Sequence, residues 1–246
     1  MTEFDGLTAL VTGGCSGIGA ATAALLQDRG ARVAVLDVRV EGAPEGVLAI
    51  VCDIADPAAV DEAITTVVDR LGGLDVLVNN AGVGAVGDIG QNDDAQWPRV
   101  LDINVTGITR VTRATLPHLR NSPHAAVVNL CSAVAFLGVR QRALYSASKG
   151  AVHALTLAMA ADHAADGIRV NAVAPGTADT PWVTRLLDEA EDSEAAAEAL
   201  RARQPLGRLV TVDEVAHSIA SLTSPLAGST TGTILRVDGG MTSLRL

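Results

Sequence analysis

Tyrosine and lysine are almost missing from this chain of 246 residues, which contains one of each, Tyr145 and Lys149. Aromatic residues make up only 2% of the sequence, so a core rich in aromatic rings is excluded. Apolar residues nevertheless amount to 48%, and they are mainly Val, Ile, Leu and Ala. Such a composition suits a buried parallel sheet, and the length suits one domain, which we place at residues 1–246.

Positive charge is scarce as well. The net charge is −10 and no basic tail or stripe occurs, which argues against nucleic acid as a partner. The first residues, MTEFDGLTAL, do not resemble a signal peptide, and no apolar run reaches the length of a membrane span. Three cysteines without CxxC spacing and five histidines without HExxH spacing predict reduced thiols and no metal site. We therefore expect a cytoplasmic protein that does not contact a membrane.

The tyrosine and the lysine that remain are four residues apart. On a helix this spacing puts both side chains on one face. A cation about 4 Å away can stabilise a phenolate by about 4 kcal/mol at an effective dielectric near 20, so we expect Lys149 to lower the pKa of Tyr145 by up to a few units. A gene composition that disfavours both codons could leave the same pair by chance, so the surrounding motifs must decide.

Short apolar runs alternate with longer amphipathic runs along the whole chain. Predicted strands cover residues 8–12, 31–37, 47–53, 74–80, 126–132, 168–175 and 233–240. Predicted helices cover 18–29, 57–71, 94–104, 107–119, 143–164 and 212–223. This alternation predicts an α/β Rossmann-like doubly wound domain, a seven-stranded parallel sheet with helices on both faces. The excursion at 177–208, with its acidic run DEAEDSEAAAEAL, predicts a substrate lid, although a solvated surface helix would give the same pattern.

A dinucleotide site is indicated where the first strand meets the first helix. The segment TGGCSGIG places Gly13, Gly17 and Gly19 there, and glycine lets the backbone approach a diphosphate at a helix N-terminus. Asp37 ends the second strand, where a carboxylate binds the adenosine ribose and repels a 2′-phosphate. We therefore favour NAD over NADP. Arg39 could offset that repulsion, and Asp37 could instead be a plain strand-end cap.

Several motifs in order make the chain resemble the short-chain dehydrogenase/reductase family over nearly its whole length. They are TGGCSGIG at 12–19, Asp53-Ile54, NNAG at 79–82, NVTG at 104–107, Ser132, YSASK at 145–149, PGTADTP at 175–181 and the terminal VDGG. The resemblance implies an oxidoreductase that interconverts a secondary alcohol and a ketone.

The resemblance also implies a catalytic set of four residues. Ser132 would hold the substrate oxygen and Tyr145 would transfer the proton. Lys149 would lower the phenol pKa and bind the nicotinamide ribose, and Asn104 would hold a water that links Lys149 to solvent.

The cofactor-binding residues follow from the same motifs. The family pattern implies contacts with NAD from Gly13, Ser16, Gly17, Ile18, Gly19, Asp37, Asp53, Ile54, Asn80, Ala81, Gly82, Tyr145, Lys149, Pro175, Gly176, Ala178 and Thr180. Asn80 could instead only pin neighbouring strands. Trp182, at the beginning of the lid, is expected to form a wall of the cleft.

Three arginines are candidates for binding the substrate, together with Ser132 and Tyr145. Arg142 lies three residues before Tyr145, while Arg185 and Arg203 lie on the predicted lid. A guanidinium matches a carboxylate, so a small anionic substrate is expected. The surrounding patterns resemble a subgroup of 3-hydroxybutyrate and 2-keto-3-deoxy sugar-acid dehydrogenases. The plain alternative is that these arginines are solvated.

Two other functions stay open. An NADPH-dependent 3-oxoacyl carrier-protein reductase shares most motifs, although Asp37 argues against it. A catalytically idle cofactor-sensing module would be expected to have lost the tyrosine or the lysine. The family usually forms homotetramers through its two long helices, here 107–119 and 143–164. Small residues along the second helix would allow that contact, but could equally pack on the protein's own sheet.

Overall fold

The structure is a computed structural model that describes residues 2–188, 190 and 192–245. Its strands are β1 (Thr8–Thr12), β2 (Arg32–Asp37), β3 (Leu48–Val51), β4 (Val76–Asn79), β5 (Ala126–Leu130), β6 (Arg169–Pro175) and β7 (Ile234–Val237). They pair in parallel, in the order β3-β2-β1-β4-β5-β6-β7. The predicted seven-stranded parallel sheet is confirmed.

The helices are α1 (Gly17–Asp28), α2 (Pro57–Leu71), α3 (Gln96–Leu101), α4 (Gly107–Leu119), α5 (Ala143–His163), α6 (Pro181–Asp188), α7 (Ser193–Ala202) and α8 (Val212–Thr223). Local sequence sets several of their ends. Asp56 caps α2 by accepting from the backbone N–H groups of Ala58 and Ala59, and Gly72 ends that helix in a left-handed conformation. Thr211 and Glu214 form a capping box at the beginning of α8.

Helices cover both faces of the sheet. One apolar cluster joins inward residues of β1 and β2 to α1 and α8, and a second joins the opposite face to α2, α4 and α5. All residues of β1 and β4 are buried, as expected for a central parallel sheet that is covered on both faces. The cysteines Cys15, Cys52 and Cys131 are buried free thiols.

The predicted helix at 94–104 differs from the observed one. Here α3 ends at Leu101 and continues through a π-helical turn, Asp102–Thr106, directly into α4. A single inserted residue in the helical turn produces such a bulge, and hydrophobic spacing does not reveal it. The turn is where Asn104 lies.

The strand order reverses between β1 and β4, because β2 and β3 lie on one side of β1 and β5 to β7 lie beyond β4. In doubly wound folds ligands bind outside the carboxyl ends of the strands at this switch point. Thr12 and Asn80 join the two strands there. The Thr12 hydroxyl accepts from the backbone N–H of Asn80, and the Asn80 side chain donates to the carbonyls of Thr12 and Gly13.

The segment at 177–208 contains α6 and α7. Of its acidic run, Glu189 and Glu191 lie outside the described residues. Both helices follow the carboxyl end of β6, so the fold positions them over the same edge of the sheet as the switch point.

Candidate active site

A large cleft lies at the carboxyl edge of the sheet. Its volume is about 660 Å³. Among its lining residues are these predicted cofactor residues: Gly13, Ser16, Gly17, Ile18, Asp37, Asp53, Ile54, Asn80, Ala81, Gly82, Tyr145, Lys149 and Thr180. The chain therefore brings together thirteen positions that the motifs had assigned to one ligand. Arg99, on α3, also lines this cleft, and no motif had singled it out.

The glycine loop forms a close-fitting wall of the large cleft. A Cβ at Gly13 would lie 2.9 Å from the Ala81 Cα, and Gly17 has a φ of +51°. Gly19 lines neither cavity, because it lies beneath the loop, where a Cβ would overlap the Gly13 carbonyl. The Asp37 carboxylate is held at the strand end by the backbone N–H groups of Cys15 and Arg39, at 3.1 and 3.4 Å.

A small pocket of about 160 Å³ adjoins the large cleft. Ser132, Tyr145, Arg142 and Arg203 line it. Other lining residues are mostly apolar and were not singled out as pocket residues by sequence: Val134, Val139, Leu186, Leu200 and Met241. Apolar residues in a loop, in a lid helix or beyond the last strand carry no pattern that distinguishes a pocket wall from a core.

Two groups of predicted residues line a different cavity from the other residues predicted with them. Pro175, Gly176 and Ala178 line the small pocket rather than the large cleft. Arg185, expected to bind a substrate carboxylate, lines the large cleft instead. It follows Pro181 by one helical turn on α6, whose first residue lies against the glycine loop, so Arg185 projects from a different part of the lid than Arg203 does.

Tyr145 and Lys149 occupy successive turns of α5. The Lys149 Nζ is 5.8 Å from the centre of the Tyr145 ring and donates to the Leu130 carbonyl at 2.7 Å. Lys149 is only 4% exposed, and burial lowers its pKa from 10.5 to about 8.

The predicted direction of the Tyr145 pKa is wrong for the protein alone. Burial raises this pKa to about 12, and the hydrogen bond from Ser132 opposes the rise only in part. Lys149 is not among the groups that shift it. The loss of water around the phenolate therefore outweighs the attraction that helix spacing suggested.

Ser132 lies just beyond the end of β5. Its extended backbone begins a short 3₁₀ turn, Ala133–Ala135, and its hydroxyl accepts from the backbone N–H of Val134 at 3.4 Å. Ser132 and Tyr145 both line the small pocket, and the Ser132 hydroxyl is close enough to moderate the pKa of Tyr145.

Asn104 is completely buried and lines neither cavity. Its carboxamide accepts from the Val83 N–H at 2.8 Å and donates to the Val83 carbonyl at 2.9 Å and to Ser148 at 3.0 Å. Ser148 in turn donates to the Tyr145 carbonyl. Both Asn104 donors are thus engaged, so a water could bond only to its carboxamide oxygen. The residue ties the loop after β4 to the helix that carries Tyr145.

No cluster of potential metal ligands occurs within the part of the chain that the structure describes. Nor is any helix of residues 2–188, 190 and 192–245 long and apolar enough to cross a membrane.

Comparisons with known proteins agree with this geometry. Residues 13–242 match a family model described as enoyl-(acyl carrier protein) reductase. The chain is 41% identical to a cis-4-hydroxycyclohexanecarboxylate dehydrogenase of Sinomonas cyclohexanicum, over 98% of each chain. It is 34% identical to a 3-oxoacyl-acyl-carrier-protein reductase of Thermotoga maritima, over 97% of this chain and 99% of the relative. The solved aldohexose dehydrogenase of Thermoplasma acidophilum has a TM-score of 0.94 at 31% identity, covering 99% of this chain and 97% of that one.

Proposed function

The chain belongs to the short-chain dehydrogenase/reductase family, and from that premise we propose that it is an NAD-dependent enzyme acting on a small hydroxy acid or sugar acid. As a member it is an oxidoreductase of secondary alcohols, and the family uses NAD or NADP. The observation that carries the proposal is the junction of the two cavities, where Tyr145 lines both.

The large cleft fits a dinucleotide. Its glycine loop leads into α1, whose first backbone N–H groups would bind a diphosphate, and side chains at Gly13 or Gly19 would collide with the loop itself or with Asn80 and Ala81. When bound, NAD supplies a hydride acceptor at C4 of its nicotinamide ring and a positive charge that favours the Tyr145 phenolate. Thr180, which lines both cavities, would hold the carboxamide end.

The choice of NAD over NADP rests on Asp37. Two backbone N–H groups fix its carboxylate at the edge of the cleft, where it would repel a 2′-phosphate. Arg39 is not among the residues that line the cleft. We expect kcat/KM to be at least about 100-fold higher with NAD than with NADP, since about 3 kcal/mol separates an accepted from a repelled anion. A preference for NADP would refute this assignment.

Four side chains of the protein either carry out the proton transfer or position the groups that do. Ser132 would hold the carbinol oxygen by a hydrogen bond, and Tyr145 would take the proton from that oxygen in oxidation or return it in reduction. Lys149 would keep a positive charge beside the phenol and meet the ribose hydroxyls from its place in the cleft wall. Asn104 would keep Tyr145 in register with the cleft through Ser148.

An anionic substrate is supported by Arg142 and Arg203. Both line the small pocket with Tyr145, and neither has an acidic partner in an ion pair among the described residues. The pKa of Arg142 is lowered, first by burial and then by the nearby positive charge of Arg203. Two unpaired cations in one pocket attract a carboxylate. The relative that acts on a hydroxycyclohexanecarboxylate agrees with this. The apolar wall favours a hydroxy acid over a polyhydroxylated sugar acid, whose hydroxyls would lack partners there.

Arg142→Ala tests the anion site. Losing a charged hydrogen-bond partner costs about 2–3 kcal/mol, so we expect KM for a hydroxy acid to rise about 30- to 150-fold. KM for a neutral secondary alcohol should change little. Arg140→Ala is the matched control, because Arg140 lies in the same loop, is exposed and lines neither cavity. Equal increases of KM for acid and neutral substrates in Arg142→Ala would remove the anion site.

A 3-oxoacyl carrier-protein reductase is the second candidate, because a relative of that name matches the full length at 34% identity. It would require NADPH, which the placement of Asp37 disfavours. Assays with NADPH and a 3-oxoacyl thioester separate the two functions. An idle cofactor-sensing module is disfavoured because Ser132, Tyr145 and Lys149 are all retained around the junction.

A homotetramer and a cytoplasmic location are also proposed. Along α5, Ala147, Ala154 and Ala158 are exposed on one face while Ser148 is buried against the protein's own interior. Exposed small residues would allow a second copy of the helix to approach closely. Gel filtration that shows a monomer would reject the assembly.

A further inference from the structure

Trp182 stands at the boundary of the two cavities. It is the second residue of α6 and lines both the large cleft and the small pocket. Its indole lies directly on the backbone of Gly84, where an added Cβ would be 2.8 Å from the indole Cε2. Gly84 therefore leaves room for the indole that another residue would fill.

Trp182 also contacts the head of Arg142. The guanidinium carbon lies 5.8 Å from the centre of the indole ring, within the range of a cation–π interaction. Tryptophan is the strongest such partner, and the interaction gains strength where water is excluded. Besides this contact, the guanidinium makes one hydrogen bond among the described residues, to the carbonyl of Gln141.

The backbone around Arg142 is held by the segment that contains Gly87. The Gly87 N–H donates to the Gln141 carbonyl at 3.1 Å, and the Ala143 N–H donates to the Gly87 carbonyl at 3.3 Å. Gln141 has a φ of +59°, and it is the sole described residue other than glycine with a left-handed φ. Such a conformation costs about 1 kcal/mol or more and persists where the surroundings enforce it. Neighbouring loops thus constrain Arg142 at both its backbone and its head.

This constraint holds Arg142 in place against electrostatic repulsion from Arg203. Arg203 lines the same small pocket and carries the same charge. Without a contact that holds it in the pocket, the flexible Arg142 side chain would turn away from Arg203 and toward water. An indole face attracts the guanidinium without neutralising it, whereas a carboxylate partner would cancel the charge that a substrate needs.

We propose that Trp182, seated on Gly84, is a positioning residue that holds the Arg142 guanidinium in the small pocket and thereby selects substrates with a carboxylate. This proposal rests on the proposed function, because it assumes that the small pocket binds the alcohol. Gly84 is its structural support, since any larger residue there would displace the indole.

Binding can be followed at Trp182 directly. The chain has two tryptophans, and the other one, Trp97, lies on α3 and lines neither cavity. Trp97→Phe leaves Trp182 as the single indole. Titration with cyclohexanecarboxylate, an acid without a carbinol, should change its fluorescence in a saturable way. The matched neutral probe, cyclohexanecarboxamide, should require roughly tenfold more. Adding Arg142→Gln to Trp97→Phe should abolish the difference between the two probes. A difference between the two probes that persists after Arg142→Gln would overturn the proposal, whereas an equal response to both probes before Arg142 is changed would remove the proposed substrate class.

Steady-state kinetics of Trp182 and Gly84 variants provide a second test of the proposal. We expect Trp182→Ala and Gly84→Ala to raise KM for 4-hydroxycyclohexanecarboxylate roughly tenfold more than KM for 4-methylcyclohexanol, with kcat reduced less than KM is raised. Trp182→Phe, which keeps an aromatic face, should restore most of the discrimination between acid and neutral substrate. If both KM values rise together in Trp182→Ala, the residue only shapes the pocket and the proposal fails. If the unaltered enzyme itself shows no preference for the acid, the proposed substrate class fails instead.

Discussion

Replacing Lys149 by methionine should stabilise the folded protein while it removes activity. Lys149 is buried, and among the described residues its ammonium has one hydrogen bond, to the Leu130 carbonyl. Its pKa falls from 10.5 to about 8 on folding. At about 1.4 kcal/mol for each pH unit, this fall corresponds to about 3 kcal/mol of burial cost. Methionine removes that cost and leaves one carbonyl without its donor, at about 1 kcal/mol. We therefore expect Lys149→Met to be more stable by about 2 kcal/mol at pH 7.

The pH dependence makes this prediction specific. Below pH 8 the lysine is protonated in both the folded and the unfolded state, so its cost is constant. Between about pH 8 and 10.5 the folded state loses the proton first and the unfolded state binds more protons, so the stability of the unaltered protein rises with pH. The advantage of Lys149→Met should accordingly shrink over this range.

Urea unfolding, followed by circular dichroism at pH 7, 8, 9 and 10 and at one protein concentration, measures this difference. Tyr145→Phe is the control. Because the pKa of Tyr145 is raised from 10 to about 12, its titration destabilises the fold only as the pH rises above about 10. Tyr145→Phe should therefore keep the lysine-dependent rise between pH 8 and 10. Parallel profiles for Lys149→Met and the unaltered protein over pH 7–10 would refute the reasoning.

Three further changes have defined outcomes. Tyr145→Phe should lower kcat by at least about 100-fold in the oxidation assay while the Kd for NADH stays within about threefold, because the variant lacks only the proton carrier; a normal rate would disprove the proposed chemistry. Gly19→Ala should weaken NADH binding in a fluorescence titration at least about tenfold, since its Cβ would overlap the Gly13 carbonyl and force the glycine loop to shift; unchanged affinity would show that the loop is not the diphosphate site. Arg169→Met should cost about 2–3 kcal/mol in urea unfolding, because Arg169 donates to the carbonyls of Leu222 and Thr223 at the end of α8 and of Ser224 and Thr230 in the segment after it; the exposed Arg140→Met is its control, and equal stabilities would contradict the role.

Most of the fold could be predicted because its signals are local. Strand and helix differ in hydrophobic period, and the alternation of the two types leaves few arrangements besides a parallel sheet. Strand ends were less predictable: the third strand was expected at 47–53 but spans Leu48–Val51. Apolar residues continue past the last ladder hydrogen bond and pack in the loops. The π-helical turn at Asp102–Thr106 was missed for the same reason, since one extra residue in a helix barely changes the pattern.

The residues of the candidate site also divide into those whose placement local spacing predicts and those whose placement it does not. The positions in the glycine loop, at NNAG and at YSASK follow strand ends or the helical repeat, and they do meet in one cleft. The three arginines are different. Arg185 and Arg203 occur on one predicted lid, yet they face different cavities because α6 and α7 are separate helices with their own orientations.

The amino-acid sequence alone thus determined the order of the elements, the family and the nearness of Tyr145 to Lys149, because each depends on spacing along the chain. Only the tertiary structure decided the direction of the Tyr145 pKa, the cavity that each arginine faces and the seat of Trp182 on Gly84. These properties depend on which distant segments exclude water from a group and how closely they approach it, and distances between packed segments are not encoded in local spacing.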